Sequence, residues 1–114
     1  MRLNPDRLEE LYTQLGEAGA EDVVCRALEE LAARLSQTER CYRERRVADM
    51  RKSARSLVAI ADQIGMHTLS RVAADVASCA DQRDPVAIAA TLTRLMHIGE
   101  RSLSEIWDRQ GARI

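Results

Sequence analysis

The amino-acid sequence predicts an all-α protein: an antiparallel up-and-down four-helix bundle with a short extra N-terminal helix, formed by residues 1–114 as a single domain. Apolar residues recur at steps of three and four along most of the chain, as on one face of an α-helix. Only five Gly and two Pro interrupt a chain whose apolar residues are mainly Ala, Leu and Val, which favours helix. The connections between the predicted helices are short, so neighbouring helices are expected to run in opposite directions.

Two helices are predicted before residue 46. Asn4 and Pro5 signal the start of the first helix, with Asn4 as the capping residue and Pro5 at the first helical position. A turn from Gly16 to Gly19 is expected to end it, and a long helix follows from about Ala20 to about Arg45. The apolar face of the short helix is Leu8, Leu11, Tyr12 and Leu15, and that of the long helix is Val24, Leu28, Leu31, Leu35, Thr38 and Tyr42.

The central helix has the clearest apolar seam. Its apolar positions are Met50, Ala54, Leu57, Ala61 and Ile64. Gly65 is expected to end this helix in the left-handed conformation. No Gly or Pro marks its start, so the preceding turn is placed near Arg46 to Ala48 with Asp49 as a capping residue, and one continuous helix is the alternative.

Two further helices complete the predicted bundle. Thr68 is expected to cap the first of them, and Asp84 with Pro85 repeats the cap-plus-Pro start for the second, which runs to about Arg109. Gly99 inside the last helix costs about 1 kcal/mol relative to Ala, which indicates a close helix crossing. The two apolar faces are Leu69, Val72, Ala73, Val76 and Ala80, then Ile88, Leu92, Leu95, Gly99, Leu103 and Ile106.

Composition and motifs exclude several classes of function. No apolar run approaches the roughly 20 residues that span a bilayer, and the acidic N-terminus is unlike a signal peptide, so we expect a soluble cytoplasmic protein. Cys25, Cys41 and Cys79 lie far apart inside helical patterns, which favours packed or half-exposed thiols over a redox switch. The sequence has no phosphate-binding loop, nucleophile elbow or zinc-ligand spacing, so neither an enzyme nor a bound metal or cofactor is expected.

The stretch from residue 50 to residue 69 carries a family resemblance. Ala54, Leu57, Ile64, Gly65 and Leu69 stand in register with a pattern of Ala-His-x-Leu-Lys-Gly, then after four residues an aliphatic residue and Gly, with a Leu four residues further on. That pattern belongs to histidine phosphotransfer (HPt) domains, the small helical bundles of bacterial phosphorelays. The chain resembles this family in helix order over roughly residues 5 to 107. The resemblance implies an HPt-like bundle and a role in two-component signalling.

The phosphorylation site of the family is missing. Arg55 stands where the family has its phospho-accepting His, Val58 replaces the Lys and Ala59 replaces the Gly. A guanidinium stays protonated and has no free lone pair for attack on phosphorus, so phosphotransfer through Arg55 is excluded. His67, expected near a turn, and His97, expected on or beside the packed side of the last helix, are not predicted to take over.

A basic segment is the stronger candidate for function. Residues 40–55 carry seven basic and two acidic side chains, a net charge of +5. In the family, docking combines an apolar patch with charged contacts, and receiver domains hold acidic residues around their phosphorylation site. We therefore expect a non-catalytic HPt-like signalling adaptor that binds a response-regulator receiver domain or a histidine kinase and modulates the relay. The predicted partner-binding residues are Arg45, Arg51, Lys52, Arg55, Val58 and Ala59.

Three alternatives remain open from the sequence. The charged face can simply be solvated and bind nothing. A small nucleic-acid-binding protein using residues 40–55 is a second interpretation, against which stand the pI of about 6.1 and the low aromatic content of 3%. A homodimer through Leu103, Ile106 and Trp107, or through Val47 and Val58, is the third.

Overall fold

The computed structural model of the chain describes the backbone of residues 4–111 and the side chains of residues 4–106. The regular elements in this part are four α-helices: α1 (Pro5–Arg43), α2 (Val47–Gln63), α3 (His67–Gln82) and α4 (Pro85–Gly111). α1 packs against α2, α2 against α3, α3 against α4, and α4 against α1. The four helices enclose one apolar core. Within the described residues, no helix is long and apolar enough to cross a membrane.

The predicted caps of α1 and α4 are confirmed. The side-chain oxygen of Asn4 accepts hydrogen bonds at 2.9 and 3.4 Å from the backbone N–H groups two and three residues further on. Asp84 does the same at 3.1 and 3.2 Å, and Pro5 and Pro85 occupy the first helical positions. Each cap stabilises its helix by about 1 kcal/mol. These two sequence signals therefore fix where α1 and α4 begin.

The structure joins the two predicted N-terminal helices into α1. The break is a kink at Gly16, which has φ 74° and ψ 174°, while Gly19 is helical. Of the predicted apolar face of the first part, Leu11 is buried, but Tyr12 and Leu15 are 39% and 49% exposed. Leu15 directly precedes the kink, where the chain changes direction, so its side chain does not continue the seam of the residues that follow.

The second part of α1 packs as predicted up to its last turn. Val24, Leu28, Leu31, Leu35 and Thr38 are buried as expected. Tyr42 is 38% exposed, and Cys41 is buried in its place. The buried face continues from Thr38 to Cys41, a step of three residues. Because one helical turn has 3.6 residues, the predicted step of four places Tyr42 beyond the edge of this face.

The apolar seam of α2 is confirmed in full, because Met50, Ala54, Leu57, Ala61 and Ile64 have no exposed surface. A buried polar contact also fixes α2 on α1. The hydroxyl oxygens of Thr38 and Ser53 lie 2.7 Å apart, and both hydroxyls lie within hydrogen-bond distance of the Arg34 carbonyl. The pair therefore satisfies its own hydrogen-bonding groups inside an apolar interface.

The turns before α2 and α3 differ from the prediction. Residues 44–46 separate α1 from α2, which excludes one continuous helix. Asp49 and Thr68 do not cap: Arg46 and Met66 precede the first helical residues, and neither supplies a side-chain cap. Asp49 instead pairs with Arg46, and Met66 is buried, so packing rather than capping fixes these starts. Gly65 has the predicted left-handed backbone, with φ 77°.

The predicted apolar faces of α3 and α4 line the core. All five predicted residues of α3 are buried, and in α4 Ile88, Leu92, Leu95, Gly99 and Ile106 are buried while Leu103 is half-buried. Ile106, a contact in the homodimer alternative, is instead part of the core. The side chain of Trp107 lies outside the described residues. A Cβ at Gly99 would lie 2.6 Å from Leu35 Cδ1, which confirms the close crossing of α4 and α1.

Candidate partner-binding surface

The predicted binding residues of α2 share the side of that helix that faces away from its core seam. We call Arg51, Lys52, Arg55, Val58 and Ala59 the α2 face. Lys52, Arg55 and Ala59 are exposed, whereas Arg51 and Val58 are half-buried. Each of the other four residues lies three or four positions from Arg55, and the face extends about 12 Å along the helix axis. The structure therefore brings five of the six predicted residues onto one surface.

Arg55 is the centre of the α2 face. The preceding residue, Ala54, has no exposed surface, and successive helical residues are about 100° apart, which turns Arg55 away from the core. The Arg55 side chain is 58% exposed. Its guanidinium can therefore meet another molecule without any rearrangement of the helix.

Asp81 of α3 partly neutralises this surface. Its carboxylate lies 2.5 Å from Arg51 Nε and 3.7 Å from one terminal nitrogen of Arg55. The Arg51 Nε atom is buried and has no well-aligned hydrogen bond, so its contact with Asp81 is an ion pair. All three side chains are at least one-third exposed, and such pairs contribute about 0 to 1 kcal/mol. The sequence alone did not reveal Asp81, because only packing places it opposite residues that precede it by 30 and 26 positions.

The apolar part of the α2 face is small. Val58 packs in part against the core, and Ala59 is exposed. Neither side chain provides a group for phosphate binding. A partner that contacts Arg55 would therefore meet only these two small apolar side chains one turn further along α2.

Arg45 lies apart from the α2 face, in the turn between α1 and α2. With Arg51 it lines an open cleft of about 850 Å³, which we call the end cleft. The end cleft lies where this turn and the turn between α3 and α4 meet. Its lining residues are Tyr42, Arg43, Arg45, Val47, Ala48, Arg51, Ala80, Asp81, Arg83, Pro85 and Ile88.

Ion pairs occupy much of the basic segment 40–55. Arg43 lies 3.8 Å from Glu39, and Arg46 lies 3.3 Å from Glu44 and 2.8 Å from Asp49. The side-chain hydrogen bond to Asp49 raises the pKa of Arg46 above its ordinary value. Arg51 and Arg55 are also paired, so four of the seven basic side chains in this segment have an acidic neighbour within 4 Å. This pairing reduces the positive charge that a nucleic-acid backbone would meet.

Neither histidine belongs to the α2 face, because His67 lies in α3 and His97 lies in α4. His67 is the first residue of α3, and its ring lies 3.2 Å from the Asn4 amide nitrogen and 3.6 Å from Asp62. These contacts connect the start of α1 to the turn between α2 and α3. His97 is exposed on α4, so its predicted place on or beside the packed side is wrong, although the flanking Met96 and Ile98 are half-buried.

The three cysteines are free thiols. Cys41 is buried, and Cys25 and Cys79 are half-buried. Among the described residues, no cluster of His, Cys, Asp and Glu has the arrangement of a metal site.

The described part of the chain is a four-helix protein with an exposed cationic surface on one helix. No protein-family model, no curated protein and no solved structure matches the chain.

Proposed function

We propose that this protein is a non-catalytic, HPt-like signalling adaptor of the cytoplasm. It binds a response-regulator receiver domain or a histidine kinase through the α2 face and modulates two-component signalling without accepting phosphate. The observation that carries the proposal is Arg55. An exposed guanidinium occupies the position on the central helix where the resembled family has its phospho-accepting His.

The proposal includes an antiparallel up-and-down bundle in which the first part of α1 is the extra short helix. Two observations support this arrangement. Each helix packs against its neighbours in the order of the chain, with α4 also against α1. The turns before α2 and α4 line the same end cleft, whereas Asn4 at the start of α1 contacts Gly65 in the turn between α2 and α3.

Electrostatics favour an acidic partner. Lys52 has no ion pair among the described residues, and the two arginines of the α2 face share the single carboxylate of Asp81. A receiver domain offers several carboxylates around its phosphorylation site, and guanidinium groups bind carboxylates with paired hydrogen bonds. Arg55 seated there would also exclude a competing phosphotransfer histidine from the same site.

The experiment is an NMR titration of the labelled protein with receiver domains and kinase dimerisation domains from the same host. We expect shifts centred on Arg51, Lys52, Arg55 and Ala59 in the wild type and their loss in Arg55→Glu. The matched control is Arg94→Glu, which reverses an exposed charge on α4, a helix that does not pack against α2 within the described residues. This variant should bind like the wild type.

Two results would contradict the proposal. One is that no receiver or kinase domain shifts the α2 face resonances. The other is that Arg55→Glu and Arg94→Glu weaken binding equally, which would indicate attraction to net charge rather than docking on α2. In the first case, a nucleic-acid titration at low and high salt is the next test, since binding through phosphates falls steeply with salt.

A further inference from the structure

The two turns of the end cleft end α1 and α3 in the same way, with an arginine in the left-handed conformation. Between residues 4 and 111, two residues other than Gly have a positive φ: Arg45 at 61° and Arg83 at 54°. Both line the end cleft, one from each of its two turns. This conformation is unfavourable for a side chain with a Cβ, and helix ends usually place Gly or Asn there. Here the conformation ends the two helices, since the backbone N–H groups of Arg45 and Arg83 donate to the carbonyls of Tyr42 and Ala80.

The strained positions carry charge that the protein itself leaves unpaired. Neither Arg45 nor Arg83 has an ion pair among the residues whose side chains are described. Arg43 lies only at the edge of contact with Glu39, at 3.8 Å, and Arg51 pairs with Asp81. The lining thus holds four arginines and one aspartate, a net charge of +3.

The start of α2 adds to this positive potential. Val47 and Ala48, the first two residues of α2, line the end cleft, and no side chain caps this helix. The N-terminus of a 17-residue helix carries partial positive charge and free backbone N–H groups. Helix N-termini with neighbouring arginines commonly bind phosphate groups.

The remainder of the lining is apolar and aromatic. Val47, Pro85 and Ile88 offer aliphatic surface, and Tyr42 is 38% exposed beside them. A tyrosine ring that is open to solvent next to arginines can stack on a planar group. The end cleft therefore combines an anion site with a surface for an apolar or planar group.

We propose that the end cleft binds a small organic phosphate, with its phosphate groups held by Arg45 and Arg83 and its planar body against Tyr42. A diphosphate suits the net positive charge better than a single carboxylate does, because it brings more negative charge and more oxygen atoms for several guanidinium groups. This inference does not rest on the adaptor function: Arg45, Arg83 and Tyr42 lie outside the α2 face, and Arg51 is the residue that the two surfaces share.

The test is calorimetric titration at low salt with three probes: ADP, inorganic pyrophosphate and adenosine. We expect ADP to bind roughly ten-fold tighter than pyrophosphate, because pyrophosphate lacks the planar group. Adenosine, which lacks the phosphate groups, should not bind measurably. Absence of ADP binding to the wild type would overturn the proposal. Equal affinity for ADP and pyrophosphate would overturn the role assigned to Tyr42.

The double variant Arg45→Gly, Arg83→Gly separates a ligand role from a structural role. It relieves two strained backbone positions, so Tm should rise by about 5 °C, while ADP affinity should fall by roughly ten-fold or more. Arg71→Ala, which removes an exposed arginine elsewhere on α3, should leave affinity within roughly two-fold. The site would be overturned if the double variant bound ADP with wild-type affinity. It would also be overturned if the double variant lost no more ADP affinity than Arg71→Ala does.

Lys52→Glu keeps this test distinct from the docking test. Lys52 belongs to the α2 face and does not line the end cleft. The variant should lose affinity for a receiver domain and keep its affinity for ADP. Loss of ADP binding in Lys52→Glu to the extent seen in the double glycine variant would overturn the assignment of the phosphate to Arg45 and Arg83.

Discussion

At the scale of single residues, Asp81 controls how much positive charge the α2 face offers to a partner. Its carboxylate lies within 4 Å of both Arg51 and Arg55. An acidic partner must compete with it for the same two guanidinium groups. The intramolecular pairs therefore lower the affinity for any partner that binds through these arginines.

Replacing Asp81 by Asn should strengthen docking. Asp81→Asn keeps the shape of the side chain and removes its charge, so binding to an acidic receiver domain should become roughly three- to ten-fold tighter. Folding stability should change by less than about 1 kcal/mol, because the pairs are exposed. Calorimetric titration and urea denaturation measure the two effects.

Asp75→Asn is the control for this prediction. Asp75 is also exposed on α3 but has no ion pair among the described side chains. The two variants change net charge equally. If they bind a receiver domain with the same affinity, the contact of Asp81 with the arginines has no effect on docking.

At the scale of the helices, the start of α1 is held on the turn between α2 and α3. The Asn4 backbone N–H donates to the Gly65 carbonyl at 3.1 Å, and Arg7 Nε donates to the Gln63 carbonyl at 2.7 Å. A Cβ at Gly65 would lie 2.5 Å from Asn4 Cβ. Gly65 thus serves two purposes: it allows the left-handed backbone, and it leaves room for the start of α1.

Gly16 and Gly65 both have a positive φ, 74° and 77°, but differ in what surrounds them, so their substitutions test the second purpose. Gly65→Ala should lower the free energy of unfolding by roughly 2 kcal/mol or more, because it adds a clash to an unfavourable φ. Gly16→Ala should cost less than Gly65→Ala, about 1 to 2 kcal/mol, since Gly16 has φ 74° and ψ 174° but nothing within 4 Å of the added Cβ. Urea denaturation of both variants gives the difference. Equal losses would mean that contact with Asn4 does not contribute to stability.

At the scale of the whole molecule, the crossing of α1 and α4 closes the ring of helices. Gly99 is buried there against Leu35, and its missing side chain lets the two helices approach. Small residues at a crossing permit contacts that a larger side chain would prevent. The cost of Gly inside a helix is offset by packing at this point.

Adding a side chain at this crossing should destabilise the fold. Gly99→Val should cost about 1 to 3 kcal/mol of unfolding free energy by overpacking against Leu35. Ala90→Val, at an exposed position of the same helix, should cost only about 0.5 kcal/mol through helix propensity. Thermal and urea unfolding measure both.

The double variant Leu35→Ala, Gly99→Val identifies the contact. It should be less destabilised than the sum of its single variants, since the smaller side chain at position 35 makes room for Val. Strict additivity would show that the cost of Gly99→Val arises elsewhere.

Most errors of the sequence-based prediction fall at helix ends and at the margins of the core. The caps Asn4 and Asp84 were predictable because each is followed by Pro, and a local signal sufficed. Asp49 and Thr68 are chemically suitable caps, but the burial of Met66 and the pairing of Arg46 with Asp49 place the helix starts elsewhere. Leu15 and Tyr42 show the same limit, since both continue a periodic pattern and both are exposed, and such a pattern does not tell how far the core extends.

The sequence by itself determined the all-helical class, the buried seam of α2 and the outward position of Arg55, because helical periodicity is a local property of consecutive residues. Only the tertiary structure decided the pairing of Asp81 with two residues of another helix, the contact of Asn4 with Gly65, and the meeting of two strained arginines at the end cleft. Such contacts join residues dozens of positions apart. They depend on how whole helices are placed, which no short stretch of the sequence specifies.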